Sequence, residues 1–474
     1  MKSDIHNVDD FCMSQMRIRM SLEGYIDIVG NRVGFTDETL DFDSFDKNCE
    51  NVIVSIANND IERLFSCLKE ICEDIKCRIP DYRQLFRIIM DTGIFGHILG
   101  LLSFNNDYIV QMAVYFVKKV IFFPFDDKTE LITVQTLEAL FSVLFRGSNI
   151  SNLQINSISI ALLSIHYALT KRYCIEEFES SKKHVFVEFL DFYHNYPELV
   201  SLILYNLGEL VRRSNDSEID FVHVVFEKAL NYSPMNTEEA AGAFYALSNC
   251  FVKDPNLSMK FHSINEFKCM FGKSPTSVLF EVRESLLDFL SISYCIEDSE
   301  FIHSLTDSMN WCDFSEFIFN ADSNYQSKYA KFVFSSIHYD NRLIQIFEDC
   351  GIIANLNTIA GDRQTSFLVR EQCVLCISRL LPDVSGECIE FLCCAGFPKS
   401  LCIILSSSDP NNRTPFLTAL YILAEHAKKG KAKEKFTLLR AIEDNDIIEI
   451  INDWQNENQP TGDQIFMIIE SLKN

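Results

Sequence analysis

Apolar residues recur along most of this chain at i, i+3, i+4 and i+7, the rhythm of a helix with one buried face. Tyr245-Ala-Leu-Ser-Asn-Cys-Phe251 and Arg283-Glu-Ser-Leu-Leu-Asp-Phe-Leu-Ser-Ile-Ser293 show it plainly, with no sustained two-residue alternation. The pattern predicts an all-α protein. One grammar returns three times: an apolar helix, a glycine, then a second apolar helix. It runs through FRIIMDTGIFGHILGLLS at Gly93, LIQIFEDCGIIANLNTIAG at Gly351 and ECIEFLCCAGFPKSLCIILSSSD at Gly396. A helix that ends abruptly before a sharply angled neighbour needs a residue with positive φ, and glycine has no Cβ to clash there. Pro398 fits the start of the following helix, where its missing N–H costs nothing. These glycines are expected to be corners, not ligand loops.

The long helices can be aligned by their apolar rhythm. Register marks fall at Ala113, Ile158, Leu202, Ala241, Ser285, Ala330, Cys373 and Leu417, with steps of 45, 44, 39, 44, 45, 43 and 44 residues. A near-constant period in the 20–50 range marks a solenoid, and one short step is a shortened loop. Small residues at several marks (Ala113, Ala241, Ser285, Ala330, Cys373) let a helix approach its neighbour closely. Each repeat then reads as a short and a medium helix ahead of a long one.

At 474 residues the chain is too long for one ordinary core. With 47% apolar and 23% charged residues, and without a Gly/Ser-rich linker, it is expected to grow along one axis as a continuous body. The 42 Lys/Arg against 67 Asp/Glu give a net charge of −25. That sign excludes a general nucleic-acid binder, which needs a positive footprint. Two readings of the acidity stand: attraction of a basic partner, or solubility for a large apolar protein. The basic run Lys428–Lys435 reads as a solvated helix end. The N-terminus lacks a hydrophobic signal core, and no apolar run is read as reaching the ~18–20 residues of a membrane span. The 17 Cys are therefore expected to be reduced thiols of an intracellular chain.

Candidate chemistry is sparse. Phe271-Gly272-Lys273-Ser274 ends like a phosphate-binding loop but has Phe267 where the first glycine belongs. Cys373-x-x-Cys376 with Cys388, Cys393 and Cys394 has the residue types of a zinc site, yet all five lie on apolar helices and read as structural thiols. The ten His show no paired metal spacing, and neither a Gly-x-Ser-x-Gly elbow nor a Gly-x-Gly-x-x-Gly loop occurs. Catalysis, cofactor and metal are not expected.

The helix–Gly–helix units resemble the armadillo repeat, whose third helix opens with Gly-apolar and lines a concave groove. The resemblance covers roughly residues 52–472; HEAT repeats, with two helices per unit, are the nearest alternative. It implies an all-α, right-handed α-solenoid of about nine to ten armadillo-type repeats with a period of about 44 residues. Residues 1–50 form an acidic, partly disordered N-terminal arm, and residues 51–474 the solenoid with a divergent closing repeat. Two places are similar to importin-α. Tyr245-Ala-Leu-Ser-Asn249 resembles its Trp-Ala-Leu-Ser-Asn segment. The C-terminus, with Ile447–Trp454, Asn456-Glu457-Asn458 and Ile468-Ile469-Glu470, resembles its last repeat.

In that family, indoles stacked over several repeats hold the stems of Lys and Arg, while asparagines four residues on bind the peptide backbone. The slot position here lies four past each mark: Val117, Leu162, Asn206, Tyr245, Phe289, Phe334, Ile377 and Tyr421. Four further on come Ile121, His166, Leu210, Asn249, Ser293, His338, Leu381 and Glu425. Aromatic–polar pairs survive at Tyr245/Asn249, Phe289/Ser293, Phe334/His338 and Tyr421/Glu425, which are the expected peptide contacts. The resemblance implies a non-catalytic adaptor that binds basic nuclear-localisation-type segments for nuclear import, in cytoplasm and nucleus, without nucleic acid or membrane. Residues 1–50 hold five basic against eleven acidic residues, so a basic arm for importin-β is not evident. The alternative is an armadillo-repeat scaffold for another protein partner, with no transport role.

Overall fold

Gly93, Gly351 and Gly396 have φ of 67°, 73° and 89°, and among the described residues no other glycine lies in the left-handed region. The computed structural model describes residues 36–474 apart from 126–127, 146–149, 172–175, 233–237, 263–279, 297, 317–322, 410–412, 431, 446, 452–466, 468 and 471–474. Gly93 closes the helix Tyr82–Thr92 and opens Ile94–Leu101. Gly351 opens Ile352–Gly361, and Gly396 opens Phe397–Ser407 with Pro398 in its first turn. The last corner bends Gly386–Cys394 against Phe397–Ser407 by 76°. A Cβ at any of the three would meet nothing within 4 Å, so backbone conformation alone demands the glycine.

The chain forms two compact units, one ending at Asp254 and one beginning at Pro255. In the first, the long helices are α1 (Asp107–Phe122), α2 (Asn152–Thr170), α3 (Pro197–Arg213) and α4 (Glu238–Lys253). Helix Ile61–Asp74 packs on α1, α1 on α2, α2 on α3 and α3 on α4. In the second they are α5 (Phe280–Tyr294), α6 (Ser323–Tyr339), α7 (Phe367–Leu380) and α8 (Thr414–Lys429), again stacked in order. Each unit is thus an α-helical repeat array.

The period read from the sequence is the stacking distance in the structure. Asn206 Nδ2 donates to the Leu162 carbonyl at 3.1 Å, and Arg213 donates to the Leu169 carbonyl. Both pairs are 44 residues apart. Lys328 reaches Asp288 at 3.0 Å, joining α6 to α5 through a mostly buried ion pair. All eight register marks are buried. Helices α3 and α4 approach closely through Gly208 and Gly242. A Cβ at Gly242 would overlap the Ser201 carbonyl oxygen, and one at Gly208 would stand 2.7 Å from the Tyr245 ring.

A corner glycine marks three of the three-helix repeats, whereas ahead of α6 the helices Ser299–Ser308 and Trp311–Glu316 meet without one. Where a corner glycine is present, two helices precede the long one: before α1 (Tyr82–Thr92, Ile94–Leu101), before α7 (Arg342–Asp349, Ile352–Gly361) and before α8 (Gly386–Cys394, Phe397–Ser407). Glu176–Phe192 and Ile219–Tyr232 contain no glycine, and each runs as one helix ahead of α3 and α4. Those two repeats have the two-helix form.

Regular structure begins ahead of residue 51. Helix Phe42–Ala57 starts inside the acidic arm, capped by Asp41, with Phe45 and Cys49 fully buried. Thr36–Thr39 (β1) pairs in parallel with Cys77–Arg78 (β2). The 19-residue α2 is long and apolar enough to cross a membrane by length and composition, contrary to the sequence reading, although it packs between α1 and α3. Most of the importin-α-like closing segment lies outside the described residues.

Candidate functional site

The ladder positions divide into a closed set and an open set. In the first unit, Tyr245 and Asn249 of α4 are 6% and 2% exposed. The Tyr245 ring lies 5.0 Å from Tyr205 and 6.0 Å from His166, centroid to centroid. Its hydroxyl donates to Glu209, whose carboxylate also receives Arg212 at 2.6 Å. Asn249 donates from Nδ2 to the Tyr245 carbonyl of its own helix at 2.9 Å. The amide expected to hold a peptide backbone is buried and bonded to its own helix. Val117, Leu162 and Asn206, the preceding slots, are also fully buried.

Phe289 and Ser293 of α5 are fully buried as well, and the serine hydroxyl donates to the Phe289 carbonyl at 2.8 Å. None of Tyr245, Asn249, Phe289 and Ser293 presents a contact surface. The rhythm that marks one face of each helix puts these residues on its packed side.

The open set lies on α6 and α8. Phe334 is 36% exposed, and the Arg379 guanidinium of α7 sits 4.4 Å from its ring centroid. That is a cation–π contact between neighbouring repeats. Tyr421 and Glu425 of α8 are partly exposed, with Lys429 4.0 Å from the Glu425 carboxylate. The His338 side chain lies outside the described residues. Arg379 was not anticipated. The outward face of α7 runs through Leu368, Gln372, Leu375 and Arg379, while Ile377 is fully buried. The register mark in α7 is therefore two residues out of phase with the solvent face.

The cysteines fall into two groups. Burial pushes the Cys373 and Cys402 thiols up to about 12, and Cys376 well above the usual thiol range, so these stay protonated and apolar. Cys312 and Cys350 are paired, with Cα atoms 4.6 Å apart, a pairing the sequence reading did not anticipate. Among the described residues no three His, Cys, Asp or Glu side chains converge as metal ligands would.

No protein-family model matches the chain, and no curated protein sequence matches it. Solved structures do. The crystal structure of an engineered protein is 16% identical, covers 90% of this chain and 99% of its own, and superposes with a TM-score of 0.58. Importin β, in an ammonium sulfate condition, is 11% identical over 90% of this chain and 57% of its own, at 0.46. A structure from work on a phosphorylation switch in the cadherin–β-catenin interaction is 12% identical over 96% of this chain and 95% of its own, at 0.39. The likeness to the engineered protein extends to fold alone.

Proposed function

We propose that this chain is a non-catalytic protein-interaction scaffold that takes an extended, basic peptide on the outward face of α6, α7 and α8. One observation carries the reading. Phe334, an exposed aromatic at a ladder position, already carries an arginine on its face. The same aromatic surface suits an Arg or Lys stem from a partner. Tyr421 and Glu425 add a second aromatic–polar pair two repeats on, with His338 at the register position beyond Phe334. Tyr245 and Asn249 are packed inside the first unit, and Phe289 and Ser293 inside the second, so none of the four belongs to this face. The net charge of −25 draws a basic partner from a distance.

Lys/Arg-rich nuclear-localisation-type segments are the ligand class of first choice, and the importin-α resemblance extends the reading to nuclear import in cytoplasm and nucleus. Pairing with importin-β forms no part of it, because residues 1–50 are acidic. The closed ladder in the first unit favours the second reading, a scaffold without a transport role, since it leaves fewer aromatic slots than a long bound peptide would use.

The test is fluorescence anisotropy with a labelled Lys/Arg-rich peptide. Wild type binds saturably and more weakly as salt rises, and Phe334→Ala loses roughly 3–10-fold in affinity, the range of one cation–π contact. Lack of saturable binding at low salt dismisses the proposal. Binding that Phe334→Ala and Tyr421→Ala both leave unchanged removes it from this face.

A further inference from the structure

The geometry points to a thiol–disulfide exchange site at Cys312 and Cys350, with a low-molecular-weight disulfide such as oxidised glutathione as co-reactant. The pair joins helix Trp311–Glu316 to the residue just before the Gly351 corner. Its Cα separation of 4.6 Å lies within the range a disulfide accepts without backbone movement. Cys312 is exposed and Cys350 partly so. Both residues of the pair thus face solvent, as exchange with a dissolved thiol requires.

Most other described cysteines contrast with this pair. Cys49, Cys67, Cys72, Cys250, Cys373, Cys376, Cys393 and Cys402 are buried, so their thiols are shielded from a dissolved co-reactant. Cys295 and Cys394 are exposed single thiols with no bonded partner cysteine.

The chemistry balances in two steps. Cys312, as thiolate, attacks one sulfur of oxidised glutathione, forming a mixed disulfide and releasing one glutathione thiolate. Cys350, as thiolate, then attacks the Cys312 sulfur, forming the intramolecular bond and releasing the second. Two protein thiols are oxidised, one small disulfide is reduced to two thiols, and the two protons end on those thiols.

The bond adds a covalent tie to an element held by ring packing and by hydrogen bonds from Trp311 to the Thr306 carbonyl and from Asn355 to Ser315. Trp311 stacks on Phe332 of α6 with centroids 6.1 Å apart, and Phe314 stacks on Tyr329 of α6 at 5.1 Å. Closing the bond ties this short helix, seated on α6, across a 38-residue separation. Opening it leaves the helix held by non-covalent contacts alone, which couples the redox state of the pair to the stability of this element on α6.

The experiment equilibrates the full chain in oxidised/reduced glutathione mixtures, then quenches, alkylates and maps peptides by mass spectrometry. The Cys312–Cys350 cross-linked peptide is expected to rise and fall with the ratio. The thermal midpoint should drop by roughly 5–10 °C on reduction. Cys312→Ser and Cys350→Ser abolish that shift, whereas Cys295→Ser keeps it. Full alkylation of both cysteines in excess oxidised glutathione overturns the proposal, and so does a cross-link that survives excess reduced glutathione. Equal shifts in wild type and Cys312→Ser assign the effect to another thiol and also overturn it.

Discussion

At the residue scale, conformation and satisfaction separate cleanly. Gly396 sits at φ 89° with open space where a Cβ would project. Gly396→Ala therefore pays only for the left-handed backbone, about 1–2 kcal/mol, readable as a lowered urea midpoint with unchanged m-value. Tyr329 presents the opposite situation. It is fully buried on α6 and its hydroxyl has no hydrogen-bond partner. Burial keeps that phenol protonated well above its ordinary range. Tyr329→Phe removes an unsatisfied group while keeping the ring on Phe314, and should raise stability by up to ~1 kcal/mol; a loss in denaturant melts would contradict this. The corners were legible in the sequence because positive φ is a local demand that only glycine meets cheaply. The exposure of Phe334 and the burial of Phe289 were not, since both residues occupy the same place in the same rhythm. Neighbouring repeats decide which of them reaches solvent.

At the element scale, helix-to-helix distance and helix capping set the outcome. Gly242 lets α4 lie against the Ser201 carbonyl of α3, so Gly242→Ala must push the two helices apart. Overpacking of this kind costs on the order of 1–3 kcal/mol, and hydrogen exchange should accelerate in α3 and α4 while Phe42–Ala57 stays protected. The sequence placed the small residue at Ala241, one position from the glycine that makes the contact. Asp340 holds the junction after α6. It accepts from Thr306 Oγ1 at 2.9 Å, Arg342 Nη2 at 2.7 Å and the Arg342 backbone N–H at 3.1 Å. Burial pushes this carboxyl upward, but those bonds outweigh it and leave it below the usual range. The unfolded chain, titrating near ~3.9, then binds more protons in acid. The stabilisation is whole above that value and is lost as pH falls through the lower folded one. An acid-unfolding profile should be shallower for Asp340→Asn than for wild type. The Cys312–Cys350 pairing was invisible to pattern reading, because packing of a six-residue helix, not periodicity, brings the two together.

At the scale of the whole molecule, the repeat and its period were readable while the division near residue 254 was not. No change of composition marks it: apolar helices continue on both sides, and the step from Ala241 to Ser285 is an ordinary 44 residues. A net charge of −25 opposes compactness by self-repulsion. Raising NaCl from about 20 to 200 mM should therefore lift the thermal midpoint; a falling midpoint would mean that attractive surface pairs outweigh the repulsion. The backbone at Gly396 carries one further implication, for chemical synthesis of the chain. Cys394 stands two residues ahead of it, a natural junction for ligating a synthetic C-terminal piece. A left-handed φ is the mirror image of what an L-residue prefers, so D-alanine adopts that backbone without torsional strain. That one inverted stereocentre would stiffen the unfolded chain and leave the corner as it is.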